Sequence, residues 1–491
     1  MKKSWMMAGL AVWGLALPPA RAAAEDLQAQ VAALQQRIAQ LEAQRNDQAV
    51  SQRSAELVRQ MVRDLAQQSY GPAADTSVTA GYDQRFFIKS TDDQFLLQFD
   101  TLLQFRHTMQ IADDGNDKLL KTGEPAPDHQ GVHADAQAFE LERARVYLQG
   151  RVLKDLKYKI VLEGDDDSTT GDYLYEYILS YSFMPELGVQ VGRFEEMVFG
   201  AQKTTSIRRQ TFVDRALATQ VFNVDRVTGV ALFGTLDLGD VKPAYQATVF
   251  NDFRNMNNAP FSQNDNSPGV AARVAAPLLG ATTKDFDNES DLEFHENPVM
   301  QLGGSLAYAN DRNERSFAGG KSDSYPFLGR GLDGRTDVYK LGGEATMLGA
   351  DATFKHQGLS VLCEGFYQHV TANEFLAGAR DFTGTSTNRN DGLMDGKALD
   401  NYGWYAQAGY FVVPSTFELA ARVGGVCVDN SNDSYEYAGG WNWYLNKTQD
   451  LKLSMDVTYI DRLPIKSSGA NYDGVQNQSL FLVRTQLQFQ F

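Results

Sequence analysis

Beyond its extreme N-terminus, the chain has no apolar run approaching the roughly 20 residues that a membrane-spanning helix needs, so a helical membrane protein is excluded. The mean hydropathy of −0.37 resembles that of a soluble protein. It does not exclude a β-barrel, whose strands alternate apolar and polar residues and so average out. Cysteine is scarce: only Cys363 and Cys427 are present, too few for a disulfide scaffold in a chain of 491 residues, and their pairing is left open. Basic residues are outnumbered, 45 Lys and Arg against 62 Asp and Glu, for a formal charge of −17. An acidic surface repels phosphate backbones, which argues against a nucleic-acid partner. Proline is sparse (14) beside glycine (42). No Walker or Gly-x-Ser-x-Gly element occurs, and a lipase or protease would need a Ser-His or Asp-His signature that is not found. The run Asp165-Asp166-Asp167 with Asp172 lacks EF-hand spacing, and His129 with His133 is the one paired histidine spacing. Neither a cofactor nor an enzymatic activity is expected.

The N-terminus carries an export signal. Lys2 and Lys3 precede an apolar stretch from Trp5 to Leu17, and Ala20-Arg21-Ala22 fits the cleavage pattern, with Ala22-Ala23-Ala24 competing. Residues 1–22 are thus expected to be a signal peptide, the alternative being a membrane anchor. Leu27, Val31, Leu34, Ile38 and Leu41 then recur at 4-3-4-3 spacing, a heptad seam. A lone helix would leave that seam in water, so residues 23–70 are expected to form a coiled coil, the alternative being a helix docked on the rest of its own chain. Gly71-Pro72 ends it and opens a linker over 71–94.

From residue 95 the apolar period becomes two. Phe95, Leu97, Phe99, Leu103 and Phe105 alternate with Gln98, Asp100, Gln104 and Arg106. Leu451, Leu453, Met455, Val457 and Tyr459 alternate with Lys452, Ser454, Asp456 and Thr458. Trp441, Trp443, Tyr435 and Tyr437 share one face, suiting an aromatic girdle. Sixteen such segments, from 95–110 to 479–491, are separated by alternately long and short connections. The segment 277–298 breaks the rule, being long where a short turn is due. The pattern predicts an all-β, 16-stranded antiparallel transmembrane β-barrel over 95–491, preceded by the periplasmic α-helical coiled coil. The chain ends on an alternating strand closed by Phe491, as bacterial outer-membrane proteins do.

In the second strand Arg143, Arg145, Tyr147, Gln149 and Arg151 share one face, opposite Ala144, Val146, Leu148 and Val152. A charge at the lipid midplane costs about 2–4 kcal/mol, so the arginines are expected to face the lumen. There they either line an anion path or pair with Glu140, Glu142, Glu163 or Glu176 and brace the wall. The segment 195–225 carries Lys203, Arg208, Arg209 and Arg215 against Glu195, Glu196, Asp214 and Asp225, and is a candidate for a loop folded into the pore. The candidate pore and anion-binding residues are therefore Arg143, Arg145, Arg151, Lys203, Arg208, Arg209 and Arg215.

The run Glu142 to Arg151, the segment Val189 to Phe194, the stretch Arg208 to Leu217, Arg226-Val227-Thr228-Gly229-Val230 and the Glu364-bearing strand after Leu359-Ser360 together resemble the phosphate-selective porin O/P family of outer-membrane porins. The resemblance covers roughly 81–491 and implies sixteen-stranded barrels in homotrimers, some selective for anions such as phosphate. It makes small anionic solutes and outer-membrane lipid the expected partners. The alternative is a non-selective porin that also tethers the outer membrane to the cell wall through its coiled coil.

Overall fold

The computed structural model describes residues 78–112 except 84, 136–164, 174–251 except 223 and 225, 268–311, 343–372, 398–427, 433–463 and 479–491. The expected signal peptide and coiled coil, Asp225, the Asp165–Asp167 run and the His129/His133 pair lie outside them.

The strands in chain order are β1 (Val78–Asp83), β2 (Arg85–Ser90), β3 (Phe95–Ala112), β4 (Ala136–Val152), β5 (Leu156–Glu163), β6 (Leu174–Met184), β7 (Leu187–Phe194), β8 (Val227–Thr235), β9 (Ala244–Phe250), β10 (Gly269–Leu278), β11 (Val299–Asp311), β12 (Gly343–His356), β13 (Leu359–Ala372), β14 (Ala398–Val413), β15 (Phe417–Cys427), β16 (Ser434–Tyr444), β17 (Leu451–Asp461) and β18 (Leu480–Gln490). From β3 to β18 each strand pairs antiparallel with its sequence neighbour. The ring closes where β18 pairs with β3, from Leu480 opposite Ala112 to Gln490 opposite Leu102. Sixteen strands thus form an antiparallel closed barrel with no free edge between them.

Beyond Leu102 toward its N-terminal end, β3 outruns β18. There β2 takes over the edge, with Phe86 opposite Phe99 and Lys89 opposite Leu96. β1 folds back on β2 as a hairpin. Two strands therefore lie inside the stretch expected to be a linker. Their short runs, broken between Asp83 and Arg85, carry too few alternating residues to stand out in the sequence.

Burial is inverted relative to a protein dissolved in water. On β17 the polar Lys452, Ser454, Asp456 and Thr458 are buried, with Ile460, while Tyr459 is exposed. On β18 Arg484, Gln486 and Gln488 are buried while Phe481, Leu487 and Phe489 face out. Tyr437 and Trp443 on β16 also face out. Large apolar side chains directed outward along a continuous closed wall require an apolar solvent. A closed barrel is the β arrangement that leaves no backbone group unpaired in lipid.

Candidate functional site

The segment between β7 and β8 folds into the lumen. It contains two short helices, α1 (Ala201–Thr204) and α2 (Leu217–Val221), and a 3-10 turn at Ile207–Arg209 between them. Its apolar side docks on the wall. Phe222 stacks on Phe366 of β13 at 5.8 Å between ring centroids. The ring of Phe222 lies so close to Gly403 that a Cβ there would come within 2.3 Å of it, so only glycine admits the contact.

Its backbone cannot pair as a strand or long helix, and buried amides need partners. The wall supplies them from side chains. Glu364 accepts the N–H groups of Ala201 and Gln202, Asp456 that of Val213 at 3.1 Å, and Glu436 that of Leu217 at 2.9 Å. Asn442 donates to the Thr211 carbonyl at 2.7 Å, Arg422 to that of Asp214 at 3.0 Å, and Lys452 to that of Gln210 at 2.9 Å. These anchors come from β13, β15, β16 and β17, on the opposite arc of the barrel from β7 and β8. The segment therefore crosses the lumen.

A cavity of about 600 Å³ remains between this loop and the wall. Arg143, Arg145, Lys203, Arg208, Arg209 and Arg215 line it, six of the seven residues expected at the pore. Arg151 does not. It lies near the far end of β4 and pairs at 3.2 Å with Asp93 in the turn after β2, a partner that the alternation of β4 alone could not reveal. Lys159, Arg226 and Arg273 complete the cationic lining. Sequence reasoning did not single them out as site residues. The signal for Arg273 was there: it is the lone charge on a period-two strand between the outward-facing Val270 and Val274.

Most of these cations have carboxylate partners. Arg145 donates to Glu163 at 2.6 Å. It also lies 4.0 Å from the centre of the Tyr175 ring, and Arg226 lies 3.6 Å from the same centre. Lys159 meets Glu176 at 3.0 Å and Glu196 at 2.6 Å. Arg273 grips Asp351 with both terminal nitrogens. Glu195 alone faces three cations, Lys203 at 3.2 Å, Arg215 at 3.3 Å and Arg226. On β4 a bulge beside Glu142 lets consecutive Glu142 and Arg143 reach lumenal partners, Arg106 at 3.1 Å and Gln104 at 3.1 Å. The lining as a whole holds nine cations against six carboxylates, Asp100, Glu176, Glu195, Glu196, Asp287 and Glu289.

A closed barrel with an apolar exterior and a charged lumen crossed by an inward loop is the architecture of a diffusion channel. The family described as "Phosphate-selective porin O and P" matches residues 126–491. The chain belongs to that family. It is an outer-membrane porin, a channel rather than an enzyme. No curated protein matches it. Among solved structures, the anion-selective porin from Comamonas acidovorans is similar to the porin with a TM-score of 0.48 and 12% identity, covering 80% of this chain and 99% of that one. Salmonella typhi OmpF in complex with daunomycin gives 0.43 and 13%, covering 84% and 100%. The outer membrane channel DcaP of Acinetobacter baumannii gives 0.42 and 11%, covering 83% and 100%. In the porin Cys363 and Cys427 are free thiols.

Proposed function

We propose that the porin is a passive diffusion channel preferring small anions, oxyanions such as phosphate among them. The observation that carries this reading is the sign of the lining: nine cations against six carboxylates, in a chain whose formal charge is −17. Cationic side chains are therefore concentrated around the cavity beside the inward loop. Guanidinium groups offer planar donor pairs that match carboxylate and phosphate oxygens. A ring of such donors replaces part of an anion's hydration and passes it on by exchange. The candidate residues on this path are Arg143, Arg145, Lys203, Arg208, Arg209 and Arg215. The test is a planar-bilayer reversal potential in a salt gradient, followed by phosphate competition against chloride conductance. An anion-favouring potential and phosphate block are expected. A potential of zero would refute the preference.

A second reading, a non-selective porin, draws on the ion pairs just described, which offset much of the cationic charge. It predicts that zero potential.

The reading extends to the rest of the chain. Residues 1–22 are the export signal, 23–70 form a coiled coil on the periplasmic side, and the porin assembles as a homotrimer. The coiled coil is a candidate tether to the cell wall. Replacing Leu34 and Ile38 by lysine buries charge in the seam and should abolish helical association while the barrel still folds. Cross-linking that captures only monomers of the intact porin would refute the trimer.

A further inference from the structure

The connection between β10 and β11 spans residues 279–298, on the face of the barrel where His356 and Leu359 are joined by a two-residue turn. It does not stay at that rim. Its 3-10 turn at Thr283–Phe286 is tied to the wall by Lys355, whose ammonium donates to the carbonyls of Asp285 and Asn288 at 2.7 Å each. The next residues reach the loop that enters from the opposite face. The Glu289 carboxylate is buried, and it accepts the Thr211 N–H and a proton of the Gln407 amide at 2.8 Å each. The Glu289 N–H donates to the Arg209 carbonyl at 3.1 Å. Beside it, Asp287 pairs with the Arg209 guanidinium at 3.0 Å. That pair is solvated, with Asp287 half exposed, and both residues line the cavity.

We propose that this turn is the second half of the constriction and sets its selectivity. Asp287 offsets the charge that a passing solute meets at Arg209. Glu289 is a positioning residue that holds the backbone carrying Arg209. The proposal rests on the channel reading above, and it adds a direction: the turn weakens anion preference where the loop supplies it.

The experiment is a set of reversal potentials on full-length porin, with gel heat-modifiability as the check on folding. Asp287→Asn should raise the anion-to-cation permeability ratio about two- to fivefold, as expected for one half-exposed charge. Arg209→Gln should lower it by a similar factor, and the double variant should return it close to wild type. For Glu289, alanine removes the acceptor of the Thr211 amide and should raise single-channel conductance. Glu289→Gln keeps a carbonyl acceptor and should restore it. An unchanged ratio in Asp287→Asn, with Arg209→Gln still shifting it, would overturn the proposal and leave the anion reading standing. Glu289→Ala with wild-type conductance would overturn the positioning role. Wild-type porin at zero reversal potential would refute the anion preference, yet an Asp287→Asn shift toward anions would still support the turn.

Discussion

Arg208, in the 3-10 turn of the inward loop, donates to the Asp100 carboxylate of β3 at 3.1 Å. Asp100 is almost fully buried, and the same oxygen also takes Arg85 of the β2 hairpin at 3.2 Å and the Gln490 amide of the closing strand at 2.9 Å. One carboxylate thus joins the hairpin, the barrel closure and the constriction. Asp100→Asn keeps the volume and removes the charge that holds two guanidinium groups. Reversal potentials should move toward anions, and thermal unfolding should occur at lower temperature. An unchanged potential would place Asp100 outside the field of the pore.

Neutralising Arg208 and Arg209 together should shift the reversal potential toward cations without unfolding the barrel. Each 1.4 kcal/mol of lost local attraction corresponds to about a tenfold drop in anion occupancy. Selectivity equal to wild type in the double variant would mean that these arginines do not act on the permeant ion.

Arg145 should behave differently. It is buried against Glu163 at 2.6 Å and packs on Tyr175, so its loss leaves a carboxylate without its partner. Arg145→Gln should destabilise the barrel by about 3 kcal/mol or more. The measurement is the temperature or urea concentration at which the folded band disappears on a gel. If the folded band persists as in wild type, Arg145 does not brace the wall.

Glu364 holds the start of the inward loop by accepting two of its amide protons. Glu364→Ala leaves both amides unpaired at about 1–3 kcal/mol each. The loop should detach and conductance should rise and become noisy, while the barrel stays closed by its strand ladder. A quiet channel of wild-type conductance would show that the remaining anchors suffice.

The turn that carries Asp287 also offers a pH dependence. Burial alone would push the Asp285 carboxyl up, but hydrogen bonds from the Thr282 N–H and hydroxyl and from His295 hold it below the usual carboxylate range. A carboxyl lowered in the folded state stabilises above its unfolded value of about 3.9 and ceases to do so as pH falls through the folded value. The difference in thermal stability between wild type and Asp285→Asn should therefore be full at neutral pH and vanish in strong acid. A difference constant down to pH 2 would remove Asp285 from the account.

What the sequence determined by itself was the wall. Alternation is local: each strand carries its own lipid face and lumen face, so the sixteen strands, the outward Tyr437 and Trp443, and the inward Arg143 and Arg145 follow from spacing alone. The segment Leu187–Phe194 has the bounds that its alternation marks out. What only the tertiary structure decided was the filling of the lumen. By spacing alone the β4 arginines either line an anion path or pair with one of four glutamates; cross-strand register brings Glu163 to Arg145, since these residues sit opposite each other on β4 and β5. Arg151 leaves the cavity because its partner, Asp93, lies 58 residues away in a turn. The long turn at 279–298 stands out in sequence only as the stretch 277–298, a length that breaks the rule. Its role depends on Glu289 meeting Thr211 across 78 residues, and no period-two pattern encodes a contact between two irregular segments.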